Sequence, residues 1–443
     1  MNQENLEHTH NTSNMRKVAL TALAGTSIEW YDFFLYGAAA ALIFPTVFFG
    51  EETPSTALIL SLLTFAACFI ARPIGGIIFG HFGDKIGRKK TLISALILMG
   101  ISSTLIGLLP TYAMIGVTAP ILLTLLRFAQ GLAIGGQWGG AMLLVTESAP
   151  SNQRGYYGAF AQAGAPIGVI LANLALIITS ALVSEEFFNT WGWRIPFLAS
   201  SVLIVISMYI QLNLEDTKAF KELVLHRNEQ QDNAESVIQR SPIIEAIRKY
   251  PKRIILAAGA FISVQVTFYI LIAFLLAYGV QSVKMARDDM LAAVLIASAI
   301  MVPVQFVFSS YSDRHGRRGI FMLGAVLSGL WAFAIFPLVD TGSFWLIVLA
   351  ITGGLVFLAM MYGPQAAFFT ELFSTEVRYS GATLGYQFGA IIGGAFAPTI
   401  AVKLWTELDI FWVSVYIAFA ALLSLLSVMA LTETYQTDLN KTE

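Results

Sequence analysis

The sequence predicts an all-α integral membrane protein, with twelve transmembrane helices in two six-helix bundles related by a pseudo-twofold axis. Three observations carry this. The 443 residues are 56% hydrophobic and only 12% charged, where soluble domains carry roughly 25% charge. Apolar stretches long enough to cross a bilayer, about 20 residues each, recur along the whole chain. Two charged motifs of the first half return in the second at nearly one offset.

The first 15 residues, MNQENLEHTHNTSNM, are polar and read as a disordered tail within a cytoplasmic segment 1–19. His8 and His10 there are solvated rather than metal ligands. The stretch after Arg16 and Lys17 is longer than a signal-peptide core and lacks a small-residue cleavage pattern, so helix 1 should remain. Candidate spans follow near 20–48, 58–81, 91–109, 119–146, 156–180 and 194–214. A second set lies near 253–280, 289–311, 319–339, 343–370, 379–401 and 410–431. The one long polar segment, 215–252, separates an N-terminal bundle (20–214) from a C-terminal bundle (253–431), and 432–443 form a C-terminal tail.

Basic residues orient the chain. With both termini inside, the outer segments hold only Arg194, Lys284, Arg287 and Lys403 of the 26 Lys and Arg. Arg72 and Arg127 fall inside helices, and the rest are cytoplasmic. The repeats agree with six plus six. GHFGDKIGRKK (80–90) follows helix 2 and SSYSDRHGRRG (309–319) follows helix 8. ESAPSNQR (147–154) follows helix 4 and ELFSTEVR (371–378) follows helix 10. An even number of helices per unit gives both halves the same orientation.

Several chemistries are excluded. Cys68 is the only cysteine, so there is no disulfide, thiolate metal site or CxxC pair. No GxxxxGK[ST] loop is present for ATP. A net charge of −2 lacks the basic stripe of a nucleic-acid binder. No His/Ser/Cys catalytic set lies within the spans, so an enzyme is not expected, nor a metal or other cofactor.

Ionisable side chains inside a bilayer cost roughly 2.5–3.5 kcal/mol on insertion scales and need a partner or an aqueous cavity. Four stand in the helices: Glu29, Asp32, Arg72 and Arg127. At about 1.5 Å per residue, all four fall within a turn or two of the midplane, the depth of transporter sites. Glu29 and Asp32, spaced i and i+3, share a helix face. Two close carboxylates can take up and release a proton near neutral pH, so they are the candidates for proton coupling. Static ion pairs with Arg72 and Arg127 are the alternative. The guanidinium fork of Arg127 suits a carboxylate, as substrate anchor or as partner of the proton site. Arg72 suits helix pairing as well as substrate contact.

Softer substrate-binding candidates are Tyr36, Gln130, Gln137, Trp138, Gln162, Gln265, Tyr386 and Gln387, each able to hydrogen-bond a polar solute or a neighbouring helix. Asn173, Tyr269, Tyr362 and Gln365 belong to the same class. At the inner edge, Asp84 with Arg88 and Asp313 with Arg317 sit in the short loops. Glu147 with Arg154 and Glu371 with Arg378 stand nearby. An acid recurs within each basic cluster, which points to ion pairs that close the inner face and break when it opens.

These residues resemble the major facilitator superfamily over nearly the whole chain: the loop motif after helix 2, present twice, and RFAQG (127–131) in helix 4. GTSIEWYDFFLYG (25–37), ARPIGG (71–76), GGQWGG (135–140), WGWRIPF (191–197) and ELFSTEVRYSGATLGYQFG (371–389) are similar to the metabolite:H+ symporter family. Members of that family often read GGEWGG where Gln137 stands here, so a carboxylate is missing. The resemblance implies proton-coupled uptake of a small organic acid, shikimate- or dicarboxylate-like, by alternating access in a bacterial inner membrane. The expected partners are substrate, protons and lipid, with the chain acting as a monomer. Uptake of zwitterionic osmolytes such as proline or glycine betaine, and export, are the alternatives. Osmosensing members can carry a C-terminal coiled coil, whereas TETYQTDLNKTE (432–443) has no heptads.

Overall fold

The computed structural model describes residues 3–86, 88–215, 242–374 and 377–435. The side chains of 3–14, 80–86, 88–89, 91–92, 136–141, 143–144, 147–148, 210–215, 242 and 379 stand outside the description. Among the described residues the chain forms twelve long helices. The first six are α1 (Gln3–Leu42), α2 (Pro54–Ile86), α3 (Arg88–Leu108), α4 (Thr118–Ser148), α5 (Arg154–Leu182) and α6 (Arg194–Glu215). After the helical turn Pro242–Lys249 come α7 (Pro251–Gln281), α8 (Arg287–His315), α9 (Arg317–Val339) and α10 (Phe344–Glu371). The last two are α11 (Arg378–Ala390, continued as Ala397–Glu407) and α12 (Phe411–Met429).

Nine of these helices are apolar enough by themselves to cross a membrane. Glu185–Gly192 and Arg194–Tyr209, bent by 54° at the break between them, make a tenth when the pair is taken as one span. The remaining two carry visible polar interruptions. Glu29 and Asp32 lower the hydropathy of α1, and the apolar part of α3 is confined to Ile93–Leu108. Hydrocarbon leaves helices few alternatives, since each backbone polar group must be bonded within the span.

Two features differ from the sequence reading. Helix α1 begins at Gln3, inside the stretch expected to be a disordered tail. Polar residues propagate a helix that a buried segment has already nucleated, and hydropathy alone does not see this. Helices α7 and α11 each contain a π-turn, Ile270–Phe274 and Ile391–Ala395. These one-residue insertions are often found at functional sites.

Small residues fix the contact that matters most. A Cβ on Gly131 would lie 2.3 Å from the Cys68 carbonyl oxygen, and one on Gly135 would lie 1.9 Å from that of Arg72. Helices α2 and α4 therefore touch backbone to backbone. This explains Gly131 of RFAQG and Gly135 of GGQWGG by packing, and it sets Arg72 beside Arg127. Between the halves, α5 runs against α8 and α2 packs on α11.

Candidate functional site

The centre of the site is the ring of Phe33 on α1. The guanidinium carbons of Arg72 and Arg127 each lie 4.5 Å from its centroid. Arg127 also packs on Tyr36 (4.2 Å) and Phe65 (4.9 Å), and Arg72 on Phe69 (4.6 Å) and Trp30 (5.4 Å). Desolvated cation–π contacts contribute about 2 kcal/mol each, which offsets part of the cost of burying two cations. Arg72 is 1% exposed and Arg127 fully buried. Among the described ion pairs, neither guanidinium has a carboxylate partner. The static pairing of Arg72 or Arg127 with Asp32 is therefore absent from this set.

Asp32 is reached through intermediaries instead. Arg127 Nη1 donates to Gln130 Oε1 (2.9 Å), and Gln130 Nε2 donates to Ser103 Oγ (2.6 Å). Ser103 Oγ donates to Asp32 Oδ2 (2.6 Å). Asp32 Oδ1, Arg72 Nε and Nη2, and Arg127 Nε are buried without a hydrogen-bond partner. Orphaned buried donors on cations are costly in a static structure and suit a site that a ligand completes. Glu29 is half-buried one turn from Asp32.

The second half supplies the opposite wall. Tyr269, at the start of the α7 π-turn, inserts its ring among Phe65 (5.6 Å), Phe69 (5.2 Å) and Phe33 (6.1 Å). Tyr269, Tyr362 and Tyr386 all lie within the electrostatic reach of Arg72. Tyr386 packs on Phe261 at 4.4 Å. Gln162 Nε2 donates across the halves to the Tyr362 carbonyl (3.2 Å). The Oε1 atoms of Gln162, Gln365 and Gln387 are buried and unpartnered. Gln265 is buried on α7 against Gly393. The Tyr36 hydroxyl is engaged with Thr64 Oγ1 (2.6 Å). The side chains of Gln137 and Trp138 lie outside the described residues.

The charged clusters gather at the face that holds both termini. Asp313, in the last turn of α8, accepts from the backbone N–H of Gly155 and Tyr156 (2.8 Å each) at the start of α5. A carboxylate there also meets the positive end of the α5 dipole. Arg317 donates to Asp313 (2.6 Å) and, with both Nε and Nη2, to Glu371 (3.1 and 3.0 Å). Arg154 of the first half reaches Glu371 of the second at 3.9 Å. Arg378 Nε donates to the Phe373 carbonyl within its own half. The side chains of Asp84, Arg88 and Glu147 lie outside the described residues. Sequence reasoning allowed pairing within each half, whereas the described contacts of Asp313 and Arg154 also cross between halves.

Other participants had little sequence signal. Ser103 is one serine of an apolar helix. At the opposite face, Ser180 Oγ donates to Asp288 (2.9 Å), Arg287 donates to Ser180 (2.9 Å), and the Arg287 guanidinium lies 4.0 Å from the Phe188 ring. Glu433 and Thr434, past α12, bond the Arg317 backbone N–H (2.9 Å) and Glu371 (2.8 Å).

The model of the Major Facilitator Superfamily matches residues 30–382. The inner membrane metabolite transport protein YhjE of Escherichia coli is 38% identical over 95% of both chains. The shikimate transporter of the same organism is 36% identical over 96% of this chain and 97% of its own length. A proline/betaine transporter of Salmonella typhimurium is 33% identical over 95% of this chain and 84% of its own. Among solved structures, the Escherichia coli xylose transporter XylE in a partially occluded inward open conformation superposes with a TM-score of 0.72 at 17% identity. That match covers 96% of this chain and all of XylE. The chain therefore belongs to the Major Facilitator Superfamily, among the relatives of the metabolite:H+ symporters, as a multi-pass membrane transporter and not an enzyme.

Proposed function

We propose that the protein is a proton-coupled symporter that takes up a small organic acid, shikimate- or dicarboxylate-like, across a bacterial inner membrane, with both termini cytoplasmic. One observation carries the reading: two buried guanidiniums share the Phe33 ring, have no described carboxylate partner and keep unpartnered N–H groups. A substrate carboxylate would supply the missing charge and acceptors, with the fork geometry that arginine favours. Gln365, Gln387 and the tyrosines of the second half would take the hydroxyl or second carboxylate. The proton rides on Asp32 or Glu29. Alternating access then parts the two faces in turn around this fixed site.

A zwitterionic osmolyte is the second reading, favoured by the proline/betaine relative. Its quaternary or secondary ammonium would need an aromatic face, yet the faces of Phe33, Tyr36, Phe65 and Phe69 already carry the two guanidiniums. The test is uptake into proteoliposomes of labelled shikimate, 2-oxoglutarate, proline and glycine betaine, with and without an inward proton gradient. Gradient-driven accumulation of an acid is expected. Accumulation of betaine or proline with neither acid transported sinks the proposal.

A further inference from the structure

Arg127, Gln130, Ser103 and Asp32 form one line of hydrogen bonds from α4 through α3 to α1, and all four are at most 2% exposed. Its direction of donation is forced. A guanidinium can only donate, so Gln130 must turn its oxygen to Arg127. That leaves the Gln130 amide nitrogen to donate to Ser103, and the Ser103 hydrogen to donate to Asp32. The line runs from cation to carboxylate, and each of its three bonds is donated in one sense only.

The same atoms admit a second polarity. If Asp32 takes up a proton, its carboxylic O–H can donate to Ser103 Oγ. The Ser103 hydrogen then turns to Gln130, whose amide must flip to present Oε1. Gln130 Nε2 now faces Arg127, and two donors oppose each other. That arrangement is stable only when an acceptor stands between them, and a substrate carboxylate is such an acceptor. One proton is gained by Asp32, and no other covalent bond changes.

From this geometry we infer that Ser103 and Gln130 are positioning residues that couple the two ligands. The line points one way with the site empty and Asp32 ionised, and the other way with Asp32 protonated and a carboxylate held by Arg127 and Gln130. The inference rests on the organic-acid reading above. The surroundings of Asp32 support it. It faces Arg127 from α4, Ser103 from α3 and Ser200 from α6, with Tyr31 beside it on α1. Glu29 stands one turn away. The Tyr31 hydroxyl is committed to the Pro196 carbonyl (2.9 Å). Among the described residues, Arg127 is thus the cation that faces Asp32, and it does so through the line rather than by direct contact.

Coupling between two ligands is reciprocal, so the affinity for substrate must depend on pH. The measurement is equilibrium binding of labelled shikimate and of labelled 2-oxoglutarate to the purified full chain at pH 5.5 and 7.5. Carboxylic acids ionise near pH 4 (about 4), so both probes stay anionic at both pH values. The wild type should bind a probe about fivefold tighter or more at pH 5.5. In Ser103→Ala the ratio should fall below about twofold while binding at pH 5.5 is kept, because the proton no longer reports to Gln130. Ser103→Thr, which keeps the hydroxyl, should restore the ratio. A wild-type ratio retained in Ser103→Ala overturns the relay and leaves the proposed function standing. Loss of binding at both pH values in Ser103→Ala, rescued by Thr, makes Ser103 structural and also overturns it. A wild type that binds neither acid overturns the organic-acid reading itself, and with it the carboxylate that the reversed line requires.

Discussion

At the residue scale the question is how a bilayer tolerates two cations around one ring. Each guanidinium is stacked on aromatic faces, yet Arg72 Nε and Nη2 and Arg127 Nε are left without an acceptor. If Arg127 anchors the substrate, Arg127→Ala should weaken binding and both modes of transport, accumulation and counterflow alike. Losing hydrogen bonds to a charged group costs about 1.5–3 kcal/mol, or roughly tenfold or more in affinity. Neutralising the proton carrier should act differently. Asp32→Asn should abolish gradient-driven accumulation while sparing substrate counterflow, which needs no net proton movement. In the wild type, uptake should quicken as external pH falls from about 7.5 to 5.5, since protonation of a carboxylate precedes return of the loaded carrier. Uptake by proteoliposomes at graded external pH checks the sign. If Glu29→Gln, Asp32→Asn and the double variant all retain pH-driven accumulation, the proton travels elsewhere.

At the element scale, α5 and α8 are bonded at both ends. Asp313 caps α5 at the terminal face, and Ser180, Arg287 and Asp288 join the two helices at the other. Asp313→Asn keeps the size of the side chain but removes the charge that meets two N–H groups, a helix dipole and Arg317. The loss of one such charged interaction, about 1.5–3 kcal/mol, should shift the balance between faces by roughly tenfold or more and slow transport several-fold. Insertion should be unchanged. Asp84→Asn in the matching motif is expected to slow it further. Normal transport by both variants, measured against membrane content, reduces these clusters to topological anchors. The gate was partly legible in the sequence because charges are rare here and recur at matched positions. Its wiring was not, since the contacts of Asp313 with Gly155 and of Arg154 with Glu371 depend on how the halves meet. The π-turns of α7 and α11 were invisible for a similar reason. Nothing in ILIAF (270–274) differs from an ordinary apolar helix. Arg127 and Asp32 stood out as charges at mid-depth, but Ser103 between them has the composition of any helix-packing serine.

At the scale of the whole molecule, function depends on which face is inside. Repetition of a six-helix unit puts both termini on one face, and that face carries Asp313, Arg317, Glu371 and the α5 cap. Segments on that side hold most of the 26 basic residues, and basic residues flanking spans stay cytoplasmic. The helical turn Pro242–Lys249 offers a probe, because Ile244 is 62% exposed there. Leu408, between the two last spans and 61% exposed, probes the other face. The native Cys68 is buried and should not compete with either. In intact cells, an impermeant thiol reagent should label Leu408→Cys and leave Ile244→Cys unlabelled until the membrane is opened. The reverse pattern would place the Asp313 cluster outside. The gate would then close the outer face, and the inward proton gradient would meet the opposite end of the carrier from the one proposed.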